Sequence, residues 1–202
     1  MTFSIVARCP EASSLGVAVA SAAPAVGGRV PHVEAGVGAI ATQGNTDVTY
    51  GVSGLKLLKR GFSPRIALSV MLKKDERHET RQVIIIDKNG RKAAFTGKET
   101  IDWTGHLMGK DYVVAGNILV GKQVIESMAH TFENTKANLE ERLLAALEAG
   151  QNAGGDKRGK TSAALLVVRE QFEEPCISLR IDIHENPVKE LRRIFTEHQN
   201  FR

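Results

Sequence analysis

Thr2-Phe3-Ser4-Ile5-Val6-Ala7-Arg8 and, after a six-residue gap, Leu15-Gly16-Val17-Ala18-Val19-Ala20-Ser21 are two runs with side chains that alternate. In the first, Phe3, Ile5 and Ala7 oppose Ser4, Val6 and Arg8. In the second, Leu15, Val17, Val19 and Ser21 oppose Gly16, Ala18 and Ala20. A period of two places alternate residues on opposite faces of a strand, so both runs read as strands. Between them, Pro10 and the serines Ser13 and Ser14 break the pattern into a turn.

Outward from this pair, residues 30–35 and 37–42, joined through Gly36, read as another hairpin. Residues 52–60 read as a helix that stops at Gly61. Ser63 then caps a second helix with Pro64 at its first position. Residues 82–87 form a strongly apolar strand that turns at Asn89-Gly90, a hairpin signal, into 92–96. Residues 112–117 add a strand. Two amphipathic helices follow, one lined by Val120, Val124, Ile125, Met128 and Phe132, the other by Leu139, Leu143, Leu144 and Leu147 and ending at Ala149. Glycine-rich 150–159 leads into strands 162–168 and 177–183, and Asn186-Pro187 caps a last helix to about His198. Strand pairs separated by helix pairs imply antiparallel sheets covered by helices, an α+β arrangement without strict βαβ alternation.

The chain has 202 residues, 42% hydrophobic and 25% charged, which suits one domain over 1–202 with a substantial core. Its net charge is +4, and the basic excess is scattered over residues 55–110. Seven Phe, two Tyr and one Trp leave little to stack bases on, so no nucleic-acid partner is expected. Cys9 and Cys176 make neither a disulfide framework nor a zinc site. His32, His78, His106, His130, His184 and His198 show no paired metal spacing; no metal or cofactor is expected. No signal-peptide pattern opens the chain, and its apolar stretches are far below the ~20 residues of a membrane span. A cytoplasmic protein without a membrane partner is the expectation.

Gly154-Gly155-Asp156-Lys157-Arg158-Gly159-Lys160-Thr161 fits the phosphate-loop template G-x-x-x-x-G-K-[ST]. There, backbone N–H groups cradle phosphates, the lysine reaches the outer phosphates and the hydroxyl meets Mg²⁺. The strand 82–87 ends in Asp87, a candidate metal-side acid. Such a loop needs a strand before it and a helix after it. Here a helix precedes, 163–168 is strand-like, and the acid lies upstream. A solvated glycine-rich turn is the better reading, with nucleotide binding through Gly154 to Thr161 as an alternative.

Thr2 stands directly before a strand, and a small residue at position 2 permits removal of Met1. A free N-terminal threonine is a complete small catalyst. Its hydroxyl is a nucleophile, and its α-amine, with an ordinary pKa of about 7.7–8.0, is a base poised near neutrality.

The opening Thr2 to Arg8, Leu15 to Ser21, Ala35-Gly36-Val37-Gly38-Ala39-Ile40-Ala41-Thr42-Gln43, Thr96-Gly97, Gly116-Asn117, Glu141-Arg142-Leu143-Leu144-Ala145-Ala146-Leu147-Glu148-Ala149-Gly150, and Gly154 to Gly159 through Ser162-Ala163-Ala164-Leu165 stand in this order. Together they resemble a bacterial family, the domain of unknown function 1028, placed among the N-terminal-nucleophile (Ntn) hydrolase-like proteins. The resemblance runs from Thr2 to Pro187-Val188-Lys189-Glu190-Leu191-Arg192-Arg193. It implies a four-layer αββα sandwich, two stacked, mostly antiparallel sheets between helical layers. Some relatives carry an extra C-terminal peptidoglycan-binding module, which this chain is read as lacking.

A more distant likeness to proteasome-type peptidases implies a cofactor-independent hydrolase of amide-type bonds acting on a small-molecule or peptide substrate. Thr2 would be nucleophile and amine base, and Gly44 would offer a backbone N–H to the oxyanion. Asn117 would orient the amine or the oxyanion, and Asp156 with Ser162 would hold the amine. Ser21 stands where those peptidases carry an acid, the spacing from Asp156 to Ser162 is longer than theirs, and no lysine clearly matches their activating lysine. His32 is the one histidine near the proposed site. The resemblance further implies a homodimer. A catalytically silent version of the fold, acting as a binding protein, is the other reading.

Overall fold

The computed structural model describes residues 2–172 and 175–200. The two opening runs are β1 (Thr2–Cys9) and β2 (Ser14–Ser21), antiparallel with Thr2 opposite Ser21 and Cys9 opposite Ser14. The chain continues through β3 (Pro31–Glu34), β4 (Gly38–Gly44), α1 (Thr49–Lys59), α2 (Pro64–Lys74), β5 (Arg81–Asp87) and β6 (Lys92–Thr96). It closes with β7 (Gly105–Gly109), β8 (Tyr112–Asn117), α3 (Gln123–Asn134), α4 (Leu139–Asn152), β9 (Ser162–Arg169), β10 (Ile177–Ile181) and α5 (Pro187–Asn200). A six-stranded sheet has the order β10-β9-β2-β1-β8-β7 and a four-stranded sheet the order β3-β4-β5-β6. Every pairing within them is antiparallel.

The alternation read from the sequence decides what each face touches. Phe3, Ile5, Ala18 and Ala20 point outward from the larger sheet onto Val124 and Met128 of α3, Leu143 and Leu147 of α4, and Leu191 and Phe195 of α5. Val6, Val17, Val19, Val113 and Ala115 point the other way, onto Ala39, Ala41, Ile84 and Ile86 of the smaller sheet. The far face of that sheet, with Ile40, Val83 and Ile85, is covered by Tyr50, Leu58, Leu68 and Met71 of α1 and α2. The protein is therefore an α+β sandwich of four layers, αββα, as the family resemblance implies. Burying each of these larger side chains contributes roughly 1.5–3 kcal/mol. Among the described residues, no helix is long and apolar enough to cross a membrane.

Several elements correct the sequence reading. Gly105–Gly109 is a strand, β7, paired with β8. The helix expected from residue 52 starts at Thr49, because Asp47 Oδ1 accepts from both the Thr49 N–H (2.9 Å) and its hydroxyl (2.7 Å). α4 does not stop at Ala149 but runs on through Gly150, where a Cβ would come within 2.7 Å of Met128 Cγ. Glycine there lets α3 and α4 approach. Val120 does not line α3: it precedes the helix, is 42% exposed and donates its N–H to Gly155 O at 3.1 Å. β10 ends at Ile181, which leaves Ile183 exposed.

An ion-pair cluster joins the helical layer to β5. Arg81 Nε donates to Asp75 Oδ2 at 2.7 Å and Nη1 to Asn45 O at 2.5 Å, while Tyr50 Oη donates to Asp75 Oδ2 at 2.9 Å. The guanidinium holds the Asp75 carboxyl down at about 2, below the ~3.9 of an unfolded aspartate. The stability this contributes is present above pH ~4 and is lost as pH falls toward 2. After solvent screening it amounts to about 1–2 kcal/mol. Urea midpoints measured from pH 5 to pH 2 should fall more steeply for the wild type than for Arg81→Met. Parallel curves would assign the acid sensitivity elsewhere.

Candidate functional site

The register of the larger sheet lines up four polar residues. Thr2 lies opposite Asn117 on β8 and opposite Ser21 on β2, and Ser21 lies opposite Ser162 on β9. Since partners across a ladder share a face, all four look into the space between the sheets, on the same side as Ser4, Val6, Val17 and Val19. The inter-sheet core is thus apolar along most of its length and polar at the Thr2 end. Facing the row from the smaller sheet are Gln43 of β4 and Gln82 of β5, which are paired with each other.

Buried polar groups need partners, and these have them. Thr2 Oγ1 donates to Ser21 Oγ at 3.3 Å, and Ser21 Oγ also accepts the Ala23 N–H at 3.0 Å. Ser4 Oγ donates to Gln43 Oε1 at 2.7 Å. Gln43 Nε2 donates to Gln82 Oε1 at 2.7 Å and reaches the Thr2 carbonyl at 3.5 Å. Asn117 Nδ2 donates to the same Gln82 Oε1 at 2.9 Å. Gln82 Nε2 contacts Gly116 O at 2.9 Å and Gly105 O at 3.0 Å. Sequence reasoning assigned no role to Gln43 or Gln82. Their signal is an amide at an inner-face position in an apolar strand, in step with Ala39 and Ala41 or with Ile84 and Ile86.

Asp156 lies in the loop from α4 to β9 and is buried. Its Oδ2 accepts the Ala22 N–H at 3.1 Å and pairs with Arg158 Nη2 at 3.1 Å, while Oδ1 accepts the Arg158 N–H at 2.9 Å. Ser162 Oγ donates to Ala23 O at 2.6 Å and accepts the Val26 N–H at 3.1 Å. Both residues therefore grip the chain where it leaves β2, immediately beyond Ser21. Gly44 ends β4 with φ +81°, and a Cβ there would come 2.7 Å from Thr80 O, so the position requires glycine. Among the described hydrogen bonds, the Gln43 side chain is what links this strand end to Thr2. Met1, whose removal the N-terminal-nucleophile reading requires, lies outside the described residues.

Directly after Asn117, Ile118 has φ +49°, a rare conformation for a β-branched residue. It is pinned by its N–H to Ile101 O (2.9 Å) and by Lys157 N–H to its own carbonyl (3.1 Å). Such strain persists only where surrounding contacts over-determine it, and it clusters at functional positions. His32 faces the opposite way: it pairs with Ile40, packs against Gly51 of α1 and bonds Val30 O through Nδ1, and burial lowers its pKa. The glycine-rich loop runs from helix α4 into strand β9, the reverse of a phosphate loop, and Lys160 Nζ donates to Asn186 Oδ1. Among the described residues, no group of three His, Cys, Asp or Glu is arranged to hold a metal ion. A cleft of about 360 Å³ opens in the α1–α2 layer, lined in part by Tyr50, Ser53, Lys56 and Lys74. It is not at the polar row, where Thr2 is only 3% exposed.

Residues 2–191 match a family of unknown function, DUF1028. The crystal structure of a Silicibacter pomeroyi protein described under the same family is similar over 97% of this chain and 85% of that one, with 34% identity and a TM-score of 0.91. Anbu, an ancestral beta-subunit from Yersinia bercovieri, aligns over 98% of this chain and 94% of its own, with 11% identity and a TM-score of 0.46. The sequence matches no curated protein.

Proposed function

On the premise that this chain belongs to the family of unknown function DUF1028, we propose that it is a cofactor-independent hydrolase of amide-type bonds. Thr2, exposed by removal of Met1, is its nucleophile. The observation that supports this most is the position of Thr2 at the centre of the buried row Asn117, Thr2, Ser21 and Ser162. A bare structural terminus needs no such surroundings.

In this reading Thr2 Oγ1 attacks the carbonyl carbon of a small amide or peptide while the Thr2 amine takes the hydroxyl proton. That proton passes to the leaving amine, and water then cleaves the ester on Thr2. Ser21 Oγ, 3.3 Å from Oγ1, can donate its own proton to Oγ1 when the Thr2 hydroxyl proton turns to the amine. Gly44 supplies an oxyanion N–H. Asp156 and Ser162 fix the segment after β2 and hold the end of the row. The burial of Thr2 favours a second reading, a silent member of the fold in which the row is structural. Intact mass of the native protein with hydrolysis of a broad amide panel separates the two. Loss of one methionine with turnover supports the hydrolase, and retention of Met1 with no turnover supports the silent form.

The same proposal places the protein in the cytoplasm as a single domain that forms a homodimer. Val48, Val52, Phe62 and Ile66 are large apolar side chains exposed on and around α1 and α2. Light scattering at tens of micromolar should give the mass of two chains; the mass of one would count against the dimer.

A further inference from the structure

The polar network between the sheets has a direction, and two backbone carbonyls set it. Gly116 O and Gly105 O can only accept, so the end of the Gln82 amide lying 2.9 and 3.0 Å from them must be its NH₂. Oε1 is then the opposite end. The two amides that reach it, Gln43 at 2.7 Å and Asn117 at 2.9 Å, must both present NH₂ groups. Gln43 Oε1 consequently turns to Ser4, whose hydroxyl donates at 2.7 Å. The orientation of each amide is thus inherited from groups that have no alternative, not from the placement of one side chain. One N–H of Asn117 Nδ2 donates to Gln82 Oε1. The Oδ1 of that amide accepts no hydrogen bond among the described residues, and Asn117 lies directly opposite Thr2 across the ladder.

From this polarity we infer that Gln82 is a positioning residue: by holding Asn117 Nδ2, it presents Asn117 Oδ1 as the acceptor for the Thr2 α-amine. The inference rests on the hydrolase reading and narrows it. Asn117 orients the amine through Oδ1, the end of its amide that the bond from Nδ2 to Gln82 leaves turned away from Gln82. Cross-strand Cβ atoms lie about 4.5–5.5 Å apart, within reach of an amide oxygen. An N–H held by Oδ1 keeps the amine's lone pair off Asn117 and free to face the Thr2 hydroxyl. Ser21, Ser162, Gln43 and Gln82 face the site from β2, β9, β4 and β5, and none of them titrates. Asp156 and Arg158 of the α4–β9 loop are paired with each other, and His106 of β7 reaches Gln82 Nε2 through Thr96 Oγ1, its pKa lowered by burial.

The test uses a chain beginning at Thr2, released from an N-terminal fusion, so that the amine exists however the native protein is processed. Its titration is followed by NMR with labelled threonine. A hydrogen bond to the charged form raises an amine's pKa, so Asn117→Leu should lower the Thr2 value by about one unit. Asn117→Asp should raise it by about one to three. Gln82→Leu, which does not touch the amine, should also lower it because Asn117 is then able to turn. Gln82→Glu keeps an acceptor for Asn117 Nδ2 in either protonation state. It should therefore hold the Thr2 value at the wild type's while the acid is protonated. Where the acid ionises, the added negative charge favours the ammonium, so the value should rise above the wild type's. Identical titrations in the wild type, Asn117→Leu and Gln82→Glu at every pH would overturn the inference, even if Gln82→Leu does not fold. Shifts as expected without amide hydrolysis would sink the hydrolase reading alone. Hydrolysis with unshifted titrations would sink this inference alone.

Discussion

Thr2→Ala, in a chain that begins at residue 2, should abolish amide hydrolysis and leave β1 in register. The strand is held on both sides by backbone pairing with β2 and β8, and the substitution removes one side-chain hydrogen bond, to Ser21 at 3.3 Å. That costs about 1 kcal/mol, a tolerable fraction of a domain's stability of roughly 5–15 kcal/mol. Thr2→Ser keeps hydroxyl and amine and should retain appreciable activity. A chain that keeps Met1 has an amide in place of the amine, which cannot take the proton, so its rate should fall by ~10²–10⁴-fold despite an intact hydroxyl. The sign of the pH dependence follows from the same base. Only the neutral amine accepts a proton, so turnover should rise with pH through its titration, near 7.7–8.0 for an ordinary α-amine. Burial moves that midpoint down and the Asn117 acceptor moves it up. Full-rate hydrolysis by a Met1-retaining chain would end the mechanism while leaving the fold untouched.

The features the sequence exposes are those set by short-range pattern. The alternation of Phe3, Ile5 and Ala7 against Ser4 and Val6 separates the helix-facing from the sheet-facing side of β1. Ser63-Pro64 marks the start of α2, with Ser63 Oγ accepting the Ile66 N–H. β7 is invisible because Gly-His-Leu-Met-Gly has no β-branched residue and two glycines, a poor strand former; it is a strand because β8 pairs with it. The polar row divides in the same way. Thr2 stands out through the chemistry of an N-terminal hydroxyl and amine, and Ser21, Asn117, Asp156 and Ser162 through the family resemblance. Their alignment depends on pairings over more than a hundred residues of chain, Thr2 with Asn117 and Ser21 with Ser162. Gln43 and Gln82 are harder still. Each is one amide in an apolar strand until the second sheet brings both against Asn117 and Ser4.

The other large effect is expected at Phe3, which joins the helix-side core to the site. Its ring is 1% exposed in the cluster with Met128, Leu143 and Leu147. It also lies beneath Gly150 and Gly155, two of the glycines before Asp156: a Cβ on either would come 3.2 Å from the ring. Phe3→Ala removes this support from the neighbour of the nucleophile. The lost transfer energy and the cavity together should cost about 3–5 kcal/mol, seen as a lower urea midpoint with an unchanged slope. Phe3→Leu keeps most of the volume and should cost less than half as much. Ile183→Ala, at a position 75% exposed, should stay within about 0.5 kcal/mol of the wild type. Because Asp156 Oδ2 holds the Ala22 N–H, hydrogen exchange at Ala22 should accelerate in Phe3→Ala beyond what the global loss of stability explains. Unchanged relative protection at Ala22 would mean that the Asp156 loop keeps its place without the ring, and that Phe3 serves the core alone.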